Sequence, residues 1–197
     1  DYTVDKTTIE ASELNTLDGN YSGTIDASIV TQIIGSVAAV NTAYASSGIT
    51  GLGNESVTLT DTTVSATSLN TLDGNTTGVV NAATVTTLTG TVAELNTFYA
   101  SSQISGITGL GNENLIITDT TVSASSLNTL DANTTGAINA ATITTLTGTV
   151  AAVNTAYASS GITGLGNEAV TISDTTIDAA LLITLDAFTS GLINASS

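Results

Sequence analysis

Short alternations of apolar and polar residues recur along the chain, and Val57-Thr58-Leu59-Thr60 is a clear example. Alternation with a period of two is typical of a strand with one buried side and one solvent side. A glycine-led apolar segment such as Gly78-Val79-Val80-Asn81-Ala82 stands earlier in each repeat, and Val85-Thr86-Thr87-Leu88 follows this one. The pattern therefore predicts two consecutive strands per repeat, and it also predicts a strand at residues 4–9.

A helical period follows the second strand. Ala66, Leu69 and Leu72 recur at the spacing of one helix face, which predicts a short helix. The same pattern predicts a helix at residues 10–19, and the glycine in each segment, Gly74 in the later one, is expected to end it. Helices this short are unstable alone in water. Packing against their own strands and the next repeat must therefore hold them.

Helix starts carry capping signals. Thr91 and Glu94 have the spacing of a capping box, in which each side chain accepts a hydrogen bond from a backbone N–H of the first turn. Asp178 stands at the N-cap position of the last helix. Both signals predict helices that begin within one residue of these positions.

The Leu-Asn-Thr core of the helical segment returns along the whole chain. Its asparagine stands at Asn15, Asn41, Asn70, Asn96, Asn128 and Asn154, and Ile183 occupies the defective copy. Aspartates follow in alternate copies at nearly equal intervals, at Asp18, Asp73, Asp131 and Asp186. The large repeat is thus about 55 residues long, with a three-residue insertion near residues 103–105 in one copy.

Each large repeat divides at its glycines into two coils of about 25–30 residues. Strand, strand and helix in coils of this length are typical of solenoids. Because parallel crossovers are right-handed, we expect a right-handed parallel β-solenoid with a short helix in each coil, an α/β solenoid. Apolar ladders are expected inside and threonine ladders outside. A plain β-helix is the alternative, if the helical segments are turns.

The repeat count also predicts the domain organisation. Residues 1–197 are expected to form a single solenoid of about seven coils, built from double-coil repeats of roughly 55–58 residues that are incomplete at both ends. The chain starts without methionine, which we interpret as a processed product or an excerpt of a longer chain.

Charge narrows the classes of partner. One Lys stands against 17 Asp and Glu residues, so the formal net charge is −16. Such a chain cannot neutralise nucleic-acid phosphates and is repelled by anionic membrane surfaces. No apolar run is long enough for a membrane span. With a mean hydropathy of +0.35 and only 9% charged residues, we expect a folded protein rather than a disordered one, located outside the cell or on its surface.

Three kinds of polar position recur. The asparagines are predicted to form a buried amide ladder that bonds to backbone, because buried amides are almost always satisfied. Glu55, Asp61 and their copies are predicted to form an acidic, solvated face. Carboxylates near loop carbonyls also suit Ca²⁺, so calcium is a possible ligand, although no residue is assigned to a metal site or to a cofactor.

Asp73 lies at a helix end, where a negative charge opposes the helix dipole. A compensating partner is expected there, either a cation or a backbone N–H. Binding of calcium at such positions predicts a higher melting temperature when calcium is added.

Catalysis is not expected. The chain has no His or Cys and its only basic side chain is Lys6, which removes the groups used in triads, thiol chemistry and phosphate clamps. No catalytic residue is assigned. A ligand-binding or ice-binding surface is the alternative function, since Thr58 with Thr60, and Thr86 with Thr87, are expected to present hydroxyls in rows.

The repeats resemble those of very large bacterial cell-surface proteins. The segments that carry the resemblance are Thr-Val-Ser-Ala-Thr-Ser-Leu-Asn-Thr-Leu-Asp-Gly-Asn-Thr-Thr-Gly and Val-Thr-Thr-Leu-Thr-Gly-Thr-Val-Ala-Glu-Leu-Asn-Thr. Surface and motility proteins of marine cyanobacteria and giant adhesins contain similar repeats. The resemblance implies an extracellular structural or adhesive role, as a rod, an adhesin stalk, a filament or a surface layer.

The two ends of the chain are nearly complementary. Joining Ser197 to Asp1 of another copy places Asn15 21 positions after Gly191, against 22 from Gly48 to Asn70. Uncapped solenoid ends expose strand edges that invite addition. We therefore expect either continuation in a longer array or head-to-tail self-association.

Overall fold

A computed structural model describes residues 1–100 and 106–195. Within them short strands and helices alternate in repeated coils. The helices are α1 (Ala11–Asn20), α2 (Val37–Ala45), α3 (Ala66–Asn75), α4 (Val92–Ala100), α5 (Ala124–Asn133), α6 (Val150–Ala158) and α7 (Ala179–Phe188). The insertion predicted near residues 103–105 lies outside the described residues.

Most coils begin with a two-residue strand, and a longer strand follows. The strands are β1 (Tyr2–Thr3), β2 (Thr8–Glu10), β3 (Ile25–Asp26), β4 (Gln32–Gly35), β5 (Ile49–Thr50), β6 (Ser56–Leu59), β7 (Thr63–Ser65), β8 (Val80–Asn81), β9 (Thr87–Gly90), β10 (Ile107–Thr108), β11 (Asn114–Ile117), β12 (Thr121–Ser123), β13 (Ile138–Asn139), β14 (Thr145–Gly148), β15 (Ile162–Thr163), β16 (Ala169–Ile172) and β17 (Ile193–Asn194).

The helices bury the predicted apolar face. Ala66, Leu69 and Leu72 are fully buried in α3. In the predicted capping box, the backbone N–H of Thr91 donates to Glu94 at 2.8 Å and the backbone N–H of Glu94 donates to the Thr91 hydroxyl at 3.1 Å. Asp178 accepts from the backbone N–H of Ala180 at 2.8 Å. Both capping predictions are confirmed.

Three local predictions are wrong. Gly74 does not end its helix, because α3 continues to Asn75, and Gly19 likewise lies inside α1. Residues 4–9 are not one strand: β1 ends at Thr3 and β2 starts at Thr8, since the chain turns a corner between two sheets there. The strand predicted at residues 85–88 is shifted, because β9 covers Thr87–Gly90.

The chain divides into two compact units. One contains residues 1–86 and 106–110, and the other contains residues 87–100 and 111–195. In the first unit, β1, β3 and β5 pair in order, and β2, β4, β6, β8 and β10 form a second parallel sheet. The expectation of a single solenoid over residues 1–197 stays a prediction.

The second unit repeats this plan. Strands β9, β11, β13 and β15 pair in parallel, as do β12, β14, β16 and β17. Each helix between them packs on the helix of the next coil, as α5 does on α6 and α6 on α7. The repeated parallel strands with a true helix in each coil confirm the α/β solenoid, and the plain β-helix is wrong.

Strand pairing follows a shorter and more regular period than the helices. Thr8 pairs with Gln32 and Gln32 with Ser56, at two equal intervals along the chain. The helix asparagines Asn15, Asn41 and Asn70 lie further apart, and their two intervals differ. Alternate coils contain more residues between the paired strand and the helix, and these residues form a third strand, such as β7 or β12. As a result β6 pairs with the long strand β4 on one side and with the short strand β8 on the other.

Apolar ladders line the interior as predicted. In the first unit, Ile33 pairs with Val57 and Val57 with Val80, and all three side chains are fully buried. The predicted outward threonine ladders are confirmed in part: Thr121 pairs with Thr145 and Thr147 with Thr171 in the second unit, whereas Thr58 pairs with Ile34 and Asn81. The rows of threonine hydroxyls expected at Thr58 are therefore interrupted.

Candidate functional site: polar columns between coils

The asparagine column joins successive helices. The side-chain amide of Asn15 donates to the carbonyl of Ala39 in the next helix at 2.9 Å. The equivalent bonds run from Asn41 to Ser68, from Asn96 to Ser126, from Asn128 to Ala152 and from Asn154 to Leu181, at 2.9–3.0 Å. These bonds confirm that the amides bond to backbone of the next coil, although the asparagines are half-buried and not buried as predicted.

The ladder changes at α7. Ile183 replaces the asparagine there, and its side chain is 72% exposed. Isoleucine has no donor for a further coil, so the outer side of α7 differs chemically from the internal contacts. Two ladder atoms are also unusual, since Asn70 Oδ1 and Asn154 Oδ1 are buried without a hydrogen-bond partner among the described residues.

The glutamates of the Gly-Leu-Gly-Asn-Glu turns are buried. Glu55, Glu113 and Glu168 are at most 1% exposed, so the prediction that they form a solvated face is wrong. Each carboxylate folds back onto its own turn. Glu55, for example, accepts from the backbone N–H of Gly53 at 2.8 Å. A buried carboxylate is tolerated only with hydrogen bonds, and these turns supply them.

A tyrosine from the preceding helix completes each glutamate site. Tyr44 donates to Glu55 at 2.9 Å, Tyr99 to Glu113 at 3.4 Å and Tyr157 to Glu168 at 3.0 Å. Burial, assisted by the neighbouring carboxylate, raises the pKa of Tyr99 and of Tyr157 to about 12. The pKa of Tyr44 is raised for the same reasons. These tyrosines are therefore held as neutral hydrogen-bond donors.

The raised tyrosine pKa values predict sensitivity to base. An unfolded tyrosine loses its proton near pH 10, whereas Tyr99 and Tyr157 keep theirs to about pH 12. The stabilisation is complete below pH 10 and is lost as pH rises towards 12, because the unfolded state then binds fewer protons. Urea unfolding at pH 8 and pH 11 is expected to show a lower free energy of unfolding at pH 11.

A tyrosine variant provides the control for this prediction. In Tyr157→Phe the free energy of unfolding is expected to be lower at pH 8, and its further decrease at pH 11 smaller than in the wild type. The exposed Tyr2 provides the comparison, and Tyr2→Phe should keep the wild-type decrease. An equal decrease in Tyr157→Phe and the wild type would contradict the assignment.

A second acidic column caps helices. Asp61 Oδ2 accepts from the backbone N–H of Val37, the first residue of α2, at 2.7 Å. Asp119 does the same for Val92 and Asp174 for Val150, at 2.7 and 2.6 Å. A carboxylate at a helix N-terminus is favoured by the dipole and by the free N–H groups. These aspartates therefore link each capped helix to the following coil.

The aspartates at helix ends have a different partner from the two expected. The Ser46 hydroxyl donates to Asp18 at 2.7 Å, and Ser159 donates likewise to Asp131. The compensating group at Asp18 and Asp131 is thus a hydroxyl of the next coil, and the partner expected for Asp73 stays a prediction. Burial raises the pKa of Asp73, which is the cost expected of a carboxylate in this position.

The acidic side chains of the described residues are not grouped as metal ligands. Among residues 1–100 and 106–195, no group of three acidic side chains is placed to hold a metal ion. The buried glutamates face N–H and O–H donors, whereas Ca²⁺ requires six to eight oxygen ligands.

No helix in the described part of the chain combines the length and apolar character that a membrane span needs.

Sequence reasoning missed the hydroxyl partners. Tyr44 and Tyr157 each precede their glutamate by 11 residues, and this fixed spacing was a usable signal. Ser46 and Ser159 stand two residues before a glycine in each copy, and their hydroxyls accept from its N–H. In a chain so rich in serine and threonine, position in the repeat was the only distinguishing mark.

Comparison with known proteins identified no relative of this chain. No family model, curated protein or solved structure matches the chain.

Proposed function

We propose that this protein is a non-enzymatic structural repeat module of the extracellular space or cell surface, which associates head to tail with further copies or continues in a longer repeat array. Its role is that of a filament, an adhesin stalk or a surface layer. One observation carries the proposal: of the nine large apolar side chains exposed in the described residues, six lie within residues 2–21 or 181–192. The recurring asparagines and aspartates of the other coils form hydrogen bonds that join one coil to another.

The last coil is more apolar than its internal counterparts. At the positions of Ser68 and Asn70 in α3, helix α7 carries Leu181 and Ile183, which are 38% and 72% exposed. An apolar outer face with Leu192, 77% exposed, beside it is typical of a surface that a further coil covers, whether that coil belongs to a second copy or to a longer chain.

The first coil presents apolar groups of a different kind. Tyr2 and Tyr21 are 41% and 39% exposed, and their rings form an edge-to-face pair with centroids 6.2 Å apart. Leu17 lies partly exposed beside them, whereas its counterparts Leu72 and Leu130 are fully buried. Aromatic side chains are the commonest anchors of protein interfaces.

Two different end surfaces favour an open assembly. Contact between unlike surfaces of identical subunits produces a filament unless the rotation closes a ring. The parallel strands at a solenoid end also present unpaired backbone groups that a further strand satisfies. Head-to-tail contact between the last coil of one copy and the first coil of the next would place α7 beside α1, two ten-residue helices, whereas ten- and nine-residue helices alternate within the chain.

The chemistry of the chain supports the other parts of the proposal. The acidic residues repeat with the coils and bond to tyrosine, serine or backbone, as Glu55, Asp18 and Asp61 do, rather than converging on one cleft. The charge of −16 supports a role without nucleic-acid or membrane partners. A soluble, acidic, cysteine-free chain suits the extracellular location that the resemblance implies.

The test of self-association places a charge on the last coil. Ile183→Asp is expected to abolish assembly, because a charge buried at the contact lacks a partner. Wild-type protein at increasing concentration should give rising mass in multi-angle light scattering, and filaments in negative-stain electron microscopy. Measurements at low and high salt are both needed, because the net charge opposes association.

Val79→Asp is the matched control. Val79 is 52% exposed and lies on an internal coil, so the same change there should leave assembly intact. Wild-type protein that stays monomeric at all concentrations and salt levels would contradict the proposed self-association. Equal loss in both variants would show that added charge, and not the end surface, is responsible.

A further inference from the structure

Five asparagines of the chain begin the sequence Asn-X-Ser/Thr, the acceptor motif for N-linked glycans. They are Asn20, Asn54, Asn75, Asn133 and Asn194. In a chain so rich in serine and threonine such motifs also arise by chance, so only their places in the fold distinguish them. The motif at Asn194 extends outside the described residues, which leaves four motifs to compare.

Three of the four motifs occupy one position in the repeat. Asn20, Asn75 and Asn133 are the last residues of α1, α3 and α5, and all three side chains are exposed. The residue after each of these helices has an extended backbone, with φ between −117° and −132°. The hydroxyl residues that complete the motifs are exposed as well, and they are Ser22, Thr77 and Thr135. Each motif thus lies on an accessible segment where the chain leaves a helix.

Neither helix capping nor strong hydrogen bonding explains asparagine at this position. Asparagine often ends a helix because it tolerates a left-handed backbone, but every positive φ in the described residues belongs to a glycine. The side chain of Asn75 donates to Asn41 Oδ1 at 3.5 Å, and that of Asn133 donates to Asn96 Oδ1 at 3.4 Å. Both distances exceed the usual N–H···O length, so these bonds contribute little to stability.

Helix α7 shows that the coil also forms without this asparagine. Phe188 stands at the equivalent place, and its ring stacks on that of Tyr157 with centroids 5.8 Å apart. The turn that follows is unchanged, because the Thr189 hydroxyl accepts from the N–H of Gly191 at 2.9 Å, as in the other long-helix coils. The fold therefore accepts another residue where three exposed asparagines recur.

The fourth motif is held inside a turn. Asn54 is followed by the fully buried Glu55 and by Ser56, which begins β6 and is half-buried. The Ser56 hydroxyl also donates to a backbone carbonyl of the preceding coil at 3.2 Å. Thr77 and Thr135 are exposed instead, and their hydroxyls make longer contacts of 3.4 and 3.3 Å. An enzyme that must bind the asparagine and the hydroxyl residue together is excluded from the Asn54 turn of the folded protein.

We propose that Asn20, Asn75 and Asn133 carry N-linked glycans. An oligosaccharyltransferase joins the side-chain nitrogen of each asparagine to the anomeric carbon of an oligosaccharide supplied as a lipid-linked diphosphate. The bond from that carbon to the diphosphate breaks, the diphosphate leaves with its lipid, and the amide releases one proton. The modified amide keeps one N–H, so the contact of Asn75 with Asn41 is compatible with the glycan.

The composition of the chain gives such glycans a physical role. Only 9% of the residues are charged, and the mean hydropathy is +0.35, so few side chains bind water strongly. N-linked glycans are bulky and solubilising, and one at the end of each long helix adds hydration without adding charge. This inference rests on the proposed extracellular location, because N-linked glycans are attached outside the cytoplasm.

The native protein tests whether the sites are occupied. Protein recovered from its source is digested with a protease that cleaves at acidic residues, because Lys6 is the only basic side chain, and the peptides are analysed by mass spectrometry. Peptides that contain Asn20, Asn75 or Asn133 are expected to carry sugar mass, and the peptide with Asn54 is expected to carry none. Unmodified Asn75 and Asn133 would overturn the inference.

Recombinant protein tests whether placement in the fold selects the sites. The folded chain is incubated with a purified oligosaccharyltransferase and a lipid-linked oligosaccharide. An enzyme that also requires an acidic residue two places before the asparagine is suitable, because Asp18, Asp73 and Asp131 stand there. Three glycans per chain are expected by intact mass, and two in Asn75→Gln. A folded chain that accepts no glycan would contradict the accessibility of these sites.

Two variants separate placement from sequence. Leu52→Asp completes the same acceptor sequence around Asn54, which should stay unmodified in the folded protein, whereas a peptide of residues 50–58 with this change should be modified. Phe188→Asn completes the acceptor sequence at the end of α7 and should add one glycan. Modification of Asn54 in the folded variant, or none at position 188, would overturn the selection by the fold. Far-ultraviolet circular dichroism verifies that both variants are folded.

The outcomes distinguish this inference from the proposed function. A native protein at the cell surface without glycans at Asn75 and Asn133 would overturn the modification and leave the structural role in place. A native protein confined to the cytoplasm would overturn both. Glycans at the helix ends, together with an unmodified Asn54, support the inference.

Discussion

Glu55→Ala is expected to lower the free energy of unfolding by about 3–4 kcal/mol. The substitution leaves two donors, the Tyr44 hydroxyl and the backbone N–H of Gly53, without their acceptor. Each unpaired buried donor costs about 1–3 kcal/mol, and the missing side chain leaves a cavity at a fully buried position. Urea denaturation at pH 7 measures the change directly.

The control for this variant lies on the surface. Glu10 is exposed and is also acidic, so Glu10→Ala should change the free energy of unfolding by no more than about 0.5 kcal/mol. Glu55→Gln should fall between the two, because the amide oxygen still accepts one hydrogen bond. A Glu55→Ala protein as stable as the wild type would show that the buried carboxylate is not needed by its turn.

Gly136→Ala is expected to destabilise the protein by about 3 kcal/mol or more. A Cβ atom at Gly136 would overlap the carbonyl oxygen of Glu113, which belongs to backbone and has little freedom to move. The same overlap occurs at Gly78 with Glu55 and at Gly191 with Glu168. The leading glycine of these coils is thus required by the close approach of two backbone segments.

Gly74→Ala is the matched comparison. No atom lies within 4 Å of the position of the new Cβ, and Gly74 lies inside a helix. Alanine there should stabilise the protein by up to about 1 kcal/mol, and the corresponding residue of α5 is already Ala132. Thermal unfolding of the two variants should move in opposite directions. A destabilised Gly74→Ala would show that the glycine has a role in the helix after all.

The candidate site was predicted in part. The asparagine ladder followed from the sequence because one residue type that disfavours helix interiors returned at one helical position. The burial of Glu55 did not follow, since acidic residues are usually exposed and only the tertiary structure brings Tyr44 to the carboxylate. The partners of Asp18 and Asp61 were missed for the same reason, because each lies in another coil.

The helix ends show the limit of local signals. Gly74 resembles a helix stop, yet Asn75 continues the helix, because packing of Leu69 and Leu72 against the core holds the last turn. At residues 4–9 the alternation is continuous but the chain leaves one sheet and enters another. A residue pattern reports which side of the chain is buried, and it does not report which sheet the chain joins.

The sequence by itself determined the double-coil repeat, the order of strand and helix in each coil, the inward apolar ladders and the asparagine column. These features depend on side chains that are near one another along the chain, so a local period reveals them. The tertiary structure alone decided that strands such as β2, β4 and β6 pair at equal intervals while the helices follow longer, unequal ones. Backbone hydrogen bonding between distant segments sets that register, and it also decides which carboxylates are buried.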